Sequence, residues 1–302
     1  MKRNSMARFP IATLVAGLAI ALIPAALRAA PATYPTADAA ATAFVDAVQK
    51  SDEAALAKVL GAGWKSVIPT GDIDRDDVDA FLAAYAASHR IVETDGRSEL
   101  EVGHAGWTLP IPIVKAAGGY AFDLKAGHDE VIARQIGRNE LDTEQALLAY
   151  YDAQREYAIT DHDGDDVLQY AEKFISTPGR QDGLYWDASD GSPESPLGPL
   201  FAAKPKDDPD GYQGYRYKIL TAQGPSAPGG AYEYVVGGRM RNGFAAIAYP
   251  ARYGETGIMT FMISHDGVVF EKDLGRNGAA AAQSMTKFDP DSSWKEDEDL
   301  DP

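Results

Sequence analysis

The sequence predicts an α+β protein: a helical N-terminal domain with a small hairpin or sheet, then a long helix followed by an antiparallel sheet. Three observations predict it. Apolar residues recur at i, i+3, i+4 and i+7 between Ala41 and Tyr85 and again between Leu147 and Tyr157, the spacing of one helix face. From Tyr215 onward the spacing changes to period two, as strands require. Asp266-Gly267 then separates two strand-like runs, and Asp-Gly is a strong hairpin signal.

Thr33 to Pro35 reads as a short leader. Ala41, Phe44, Val45 and Val48 form the face of a first helix. Ser51-Asp52 caps a second, with Leu56, Val59 and Leu60 on its face, because a short oxygen side chain accepts from the free N–H groups of a first turn. Gly61 and Gly63 end it. Asp74 caps a third, in which Val78, Phe81, Leu82 and Tyr85 share a face. Trp107 to Val114 reads as extended, Gly118-Gly119 as a turn, and Tyr120 to Leu124 as a returning strand. In outline this half is similar to the cystatin-like cone of nuclear-transport-factor-type proteins.

Two helices are expected next, Gly127 to Ile136 and Asn139 to Ala158. The stripe Leu147, Tyr150, Tyr151, Gln154 and Tyr157 reads as core packing rather than a ligand box. Thr177 to Asp210 is rich in Pro, Gly, Ser and Asp and reads as irregular, pinned to a core by Tyr185-Trp186. Strands follow at Tyr215 to Leu220, Phe244 to Tyr249, Ile258 to Ile263 and Val268 to Phe270. The expected organisation is an export signal over 1–32, an N-terminal α+β domain over 33–126, a helix-plus-sheet domain over 127–288 and an acidic, flexible tail over 289–302.

The export signal rests on Lys2, Arg3 and Arg8, the apolar run from Ile11 to Leu27, and the small-x-small triplet Ala30-Pro31-Ala32. Pro24 interrupts the run, which falls short of the about 20 apolar residues that span a bilayer. The expectation is a cleaved signal, a periplasmic or secreted location and no stable membrane span afterwards.

The chain of 302 residues carries a formal charge of −17, is 45% hydrophobic and contains no cysteine. Residues 1–32 hold four of the 28 basic residues and none of the 45 acidic ones, which leaves −21 beyond them. So negative a surface repels nucleic acid and anionic lipid. Without cysteine there is no disulfide, no thiolate nucleophile and no Cys-ligated zinc.

The sharpest local motif runs from Asp161 to Glu172, DHDGDDVLQYAE. Its spacing resembles an EF-hand loop. The ligand positions are the carboxylates of Asp161, Asp163 and Asp165, the carbonyl of Val167, Gln169 and bidentate Glu172. Calcium takes six to eight hard oxygens, and four gathered carboxylates repel one another without a cation. Leu168 supplies the apolar anchor, and a shorter helix would leave the loop before Pro178. Asp166 stands where the pattern has glycine, though Asp tolerates such geometry better than most residues. Calcium bracing is the expectation; an acidic surface turn is the alternative.

Other chemistry is thin. His89, His104, His128, His162 and His265 form no HExxH or other tight zinc spacing. Gly61 to Ser66 lacks the glycine that a phosphate loop needs before its lysine, and no G-x-S-x-G elbow occurs. No recognisable catalytic motif is present.

Several runs resemble an exported bacterial family, the domain-of-unknown-function family 2950. They are Trp107 to Pro112 (WTLPIP), Ile136 to Glu140 (IGRNE), Asp152 to Tyr157 (DAQREY), Ser176 to Trp186 (STPGRQDGLYW), Ser195 to Leu200 (SPLGPL), Ile219 to Gly230 (ILTAQGPSAPGG) and Ile258 to Phe261 (IMTF). The resemblance implies an exported protein and supplies no catalytic residues. The C-terminal half is also similar to type IV pilin-like headpieces, in Asn139-Glu140 opening a helix and in the strand order after it. Pilins join that headpiece directly to a long apolar helix; here a separate domain precedes it, so the resemblance implies an interaction role rather than fibre assembly.

Three functions follow. The first is an exported, soluble, calcium-braced protein that binds an envelope protein or cell-surface component. The second is an envelope hydrolase using the Ser176–Trp186 loop. The third is a small-ligand carrier using the N-terminal domain, with an apolar cavity under Phe44 and Phe81.

Overall fold

The computed structural model describes residues 30–68, 73–188, 191, 193–199 and 208–297. The expected signal lies outside the described residues up to position 29, and so does the expected tail from position 298. The chain forms two compact units: the residues up to Trp107 with Ile113–Leu124, and Thr108–Pro112 with the residues from Lys125 onward.

The first unit opens with α1 (Ala37–Gln49), whose free N–H at Ala39 is taken by the Thr36 hydroxyl. α2 (Glu53–Leu60) is capped by Asp52 and ended by Gly61 at φ 103. The short 3-10 turn Trp64–Ser66 follows. α3 (Arg75–Ala87) starts in a reciprocal capping box between Asp74 and Asp77. The helices pack on β1 (His89–Thr94), β2 (Arg97–Val102), β4 (Ile113–Ala116) and β5 (Gly119–Phe122), which pair antiparallel in that order; the short β3 (Trp107–Thr108) pairs with β2. Phe44 lies 5.6 Å from Phe122 and 6.1 Å from Phe81, and Phe81 6.1 Å from Trp107. Phe44 and Phe122 are buried in the interior of this unit. Burying one such ring contributes about 2 kcal/mol.

The β1–β2 hairpin is an addition to the sequence reading. Its turn is Asp95-Gly96, both at positive φ (51 and 76), the conformation that favours Asp-Gly in two-residue hairpins. Its strands escape a period-two search because β1 is polar and half-exposed on both faces.

The second unit is built on α4 (Leu124–Tyr157), one helix of 34 residues, about 51 Å long. The two separate helices expected here are thus one. Gly137 meets no neighbour within 4 Å, so it faces open space. Its cost of about 1 kcal/mol relative to alanine is outweighed by the burial of Ile136 and Asn139 on either side. Leu109 and Ile111 are buried. Arg134 Nη1 donates to the Thr108 carbonyl at 2.6 Å, and Gly127 packs so close to Ile111 that a Cβ would sit 2.8 Å from its side chain.

The main sheet has the order β15-β13-β12-β11-β6, all antiparallel: β6 (Tyr215–Leu220), β11 (Ala245–Pro250), β12 (Met259–Ser264), β13 (Val269–Asp273) and β15 (Lys295–Glu296). A second sheet joins β7 (Ala222–Gln223), β8 (Tyr232–Glu233) and β14 (Lys287–Phe288), and β9 (Val235–Val236) pairs with β10 (Arg239–Met240). Every residue of β11 is buried, because both faces are covered. Tyr150 of α4 donates to the Ala245 carbonyl at 3.1 Å. The short helix α5 (Gly278–Ser284) packs against β11 as well. Ala245, Ala246 and Ala248 keep the strand slim enough for that. The tyrosine stripe of α4 is core, with Leu147, Tyr150, Gln154 and Tyr157 all buried.

Of the segment expected as a flexible tail, residues 289–297 lie among the described residues. Asp291 accepts from the Ser293 N–H at 2.9 Å, Trp294 packs against the core, and Lys272 lies 5.6 Å over its ring. These local contacts let Lys295-Glu296 add to the sheet as β15.

Candidate functional site

At the end of α4 the chain enters the acidic loop. The Asp161 carboxylate accepts from the backbone N–H of Asp163 (3.2 Å), Gly164 (2.9 Å) and Asp166 (2.8 Å). The Asp166 bond leads the three that hold its carboxyl below the usual range. Asp166 sits at φ 64, the left-handed geometry that position 6 of an EF-hand demands. Asp165 accepts from Val167 N at 3.0 Å, and Gln169 Nε2 donates to Asp163 at 3.3 Å.

Candidate ligand oxygens of Asp161, Asp163 and Asp165 all lie within 4.8 Å of one another, so this group could hold a metal ion. Gln169 touches the group through Asp163. Glu172 is exposed and stands outside it. The exiting helix does not form, a correction to the helix-loop-helix expectation. Tyr170 N donates instead to the Met240 carbonyl at 2.8 Å, and Ala171 N to Gln154 Oε1 at 2.8 Å. Those bonds hold the backbone extended. The sequence also gave no sign of Arg239, whose guanidinium pairs with Asp165 and lies 3.9 Å from Asp163. It reaches the loop from β10, and no local pattern announces so distant a partner.

Beside the loop lies an open cleft of about 1000 Å³. Its lining includes His162, Asp163, Arg180, Asp182, Tyr185 and Trp186. The wall is a looped segment closed by a parallel bridge between Ile175 and Tyr185, in which Ser176 N donates to the Tyr185 carbonyl and Tyr185 N to the Phe174 carbonyl, both at 2.8 Å. Asp182 locks it: the carboxylate takes Lys173 Nζ at 2.6 Å, Thr177 N at 2.7 Å and the Thr177 hydroxyl at 2.9 Å. Partial burial works to raise the Asp182 pKa, but Lys173 and Thr177 prevail and hold it at about 2.

His162 is equally committed. It stacks on Tyr157 at 3.9 Å, its Nε2 faces the Tyr157 carbonyl at 3.1 Å, and its Nδ1 lies 3.5 Å from Gln181 Oε1. Tyr157 donates to the Gln181 carbonyl at 2.9 Å. Burial, then the charges of Asp182, Asp163 and Glu172, push its hydroxyl up to about 12.

The model for the family described as Protein of unknown function (DUF2950) matches residues 31–296. The chain belongs to that family. No curated protein and no solved structure matches it.

The runs that carry the DUF2950 resemblance are mostly fastenings. Asn139 Nδ2 donates to the Thr256 carbonyl at 2.8 Å, and Glu140 accepts from Ile258 N at 2.9 Å and Met259 N at 3.0 Å. Gln154 bonds both the N–H and the carbonyl of Ala171 at 2.8 Å. Trp186 Nε1 donates to the Pro193 carbonyl at 2.8 Å. Gln223 Nε2 donates to the carbonyls of Pro228 at 2.6 Å and Gly230 at 2.7 Å. Of these runs, Ser176–Trp186 supplies most of the cleft lining, joined by Tyr157 from the Asp152–Tyr157 run.

Proposed function

We propose that this chain is an exported envelope protein that binds rather than catalyses, taking a partner or cell-surface component in the cleft of its C-terminal unit. A divalent cation seated at Asp161, Asp163 and Asp165 braces that wall. The observation that carries the reading is Asp163, which belongs both to the metal-capable group and to the cleft lining. Three carboxylates face one guanidinium, so a charge of about −2 remains for a cation to offset. Oxygen-only donors suit calcium, with the Val167 carbonyl, Gln169 and a repositioned Glu172 as the remaining ligands.

The hydrolase reading has one observation in its favour: Arg180, Asp182 and Tyr185 do line one cleft. Asp182, ionised and bonded to Lys173 and Thr177, holds no proton to give near neutral pH. Binding is therefore the reading the geometry supports better. Export rests on the signal-like first 32 residues, and among the described residues no helix is long and apolar enough to cross a membrane.

The test is retention of the purified chain on envelope fractions, with calcium and then with a chelator. Retention should fall at least tenfold on chelation, and equally in Tyr185→Ala with calcium present. Equal retention in all three, or none in any, would overturn the reading.

A further inference from the structure

We infer that the cleft beside the acidic loop takes a neutral oligosaccharide, a chain of pyranose rings; the inference rests on the binding reading of that cleft and names its ligand. The cleft joins a fixed aromatic lining to uncommitted polar side chains. His162 stacks on Tyr157 at 3.9 Å and lies 5.5 Å from Trp186, so the three rings adjoin. Tyr157 and Trp186 are buried, and their polar tips are fixed on the Gln181 and Pro193 carbonyls. Tyr185 is half-buried and packs against the same core. Such a lining is ordered before a ligand arrives, so binding costs little side-chain entropy there. One face of a pyranose ring presents mainly C–H groups, which suit an aromatic surface.

The polar groups left over suit hydroxyls. Among the described residues, the Arg180 guanidinium, the Tyr185 hydroxyl and Gln181 Nε2 line the cleft and make no hydrogen bond or ion pair. Each can bond a sugar hydroxyl, which both donates and accepts. The guanidinium fork can reach two neighbouring hydroxyls at once.

Charge and backbone narrow the class. Asp163, Asp182 and Asp187 line the cleft against Arg180, and the whole chain carries −17. A phosphorylated or uronic ligand would meet that field; a neutral one would not. An extended peptide would need a run of free N–H and C=O groups to add to. In this wall Ser176, Thr177, Arg180, Leu184 and Tyr185 already donate their N–H groups within the segment. Recognition is therefore left to side chains. The cleft, about 1000 Å³ and open, lies at the upper end of the small-molecule range of about 300–1000 Å³. That gives room for a run of rings rather than one.

Calorimetric titration of the purified chain, with calcium present, against maltohexaose, cellohexaose and chitohexaose tests the inference, with tryptophan fluorescence reporting on Trp186. At least one of the three should give saturable heat. Arg180 is exposed, so Arg180→Ala should melt as the wild-type chain does and weaken that binding about tenfold. Hexagalacturonate, an acidic counterpart, should bind on the order of tenfold more weakly than the best neutral chain. Heat from none of the neutral probes, an affinity unchanged in Arg180→Ala, or tighter binding of hexagalacturonate would overturn the inference. If the neutral probes fail while retention on envelope fractions persists, the binding reading stands and its partner is of another class. If retention is absent as well, both fall.

Discussion

Replacing Gln154 with leucine should cost about 4 kcal/mol and lower the melting temperature by about 10 °C. Gln154 is fully buried. Its amide serves three groups, the N–H and carbonyl of Ala171 and the Tyr150 hydroxyl at 3.1 Å. Leucine fills much of the same volume but leaves the Ala171 backbone groups unpaired in the core. Each buried group so orphaned costs about 1–3 kcal/mol. The damage should also be local. Ala171 ties the strand-like chain behind the acidic loop to α4, so residues 161–187 should become the first site of proteolysis. Urea unfolding checks the magnitude, and mapping of the first cuts checks the place. A loss under 1 kcal/mol would mean that water or a shifted backbone satisfies Ala171 instead.

The second large effect belongs to Asn139 and Glu140. Together they hold the loop from Arg252 to Met259, which joins β11 to β12. Gly214 packs against the Asn139 amide and Gly257 under the Tyr215 ring, leaving no room for a Cβ at either place. Asn139→Ala strands the buried Thr256 carbonyl and should cost about 2 kcal/mol. Glu140→Ala strands two backbone N–H groups and should cost about the same. The double variant should cost clearly less than the sum, because the first change already frees the loop that the second would release. Strict additivity in a double-mutant cycle would show two independent fastenings.

These effects explain what was legible in the chain and what was not. The caps at Asp52 and Asp74 and the strand over Tyr215 to Leu220 are local facts, set by neighbouring residues, and sequence spacing finds them. The continuity of α4 through Gly137 is decided elsewhere, by Asn139 finding Thr256. β11 does not show the alternation expected of it, since α4 and α5 cover both its faces. At the site, the Asp161–Asp165 spacing was readable, and so was its left-handed turn at Asp166. The absent exit helix was not, because Gln154 and Met240 claim its backbone from outside. Arg239 at Asp165 is a long-range meeting with no signal in either neighbourhood.

A cation at the acidic loop is proposed to organise the cleft wall. Calcium titrated into chelator-treated protein, followed by calorimetry and thermal melting, tests it most directly. A site with Kd of about 0.1 mM stabilises the fold by about 1.4 kcal/mol in about 1 mM calcium, a rise of about 4 °C. Saturable heat with that rise, both absent in Asp161→Asn with Asp163→Asn, is the predicted result. No heat and an unchanged melting curve in the wild-type chain would contradict it.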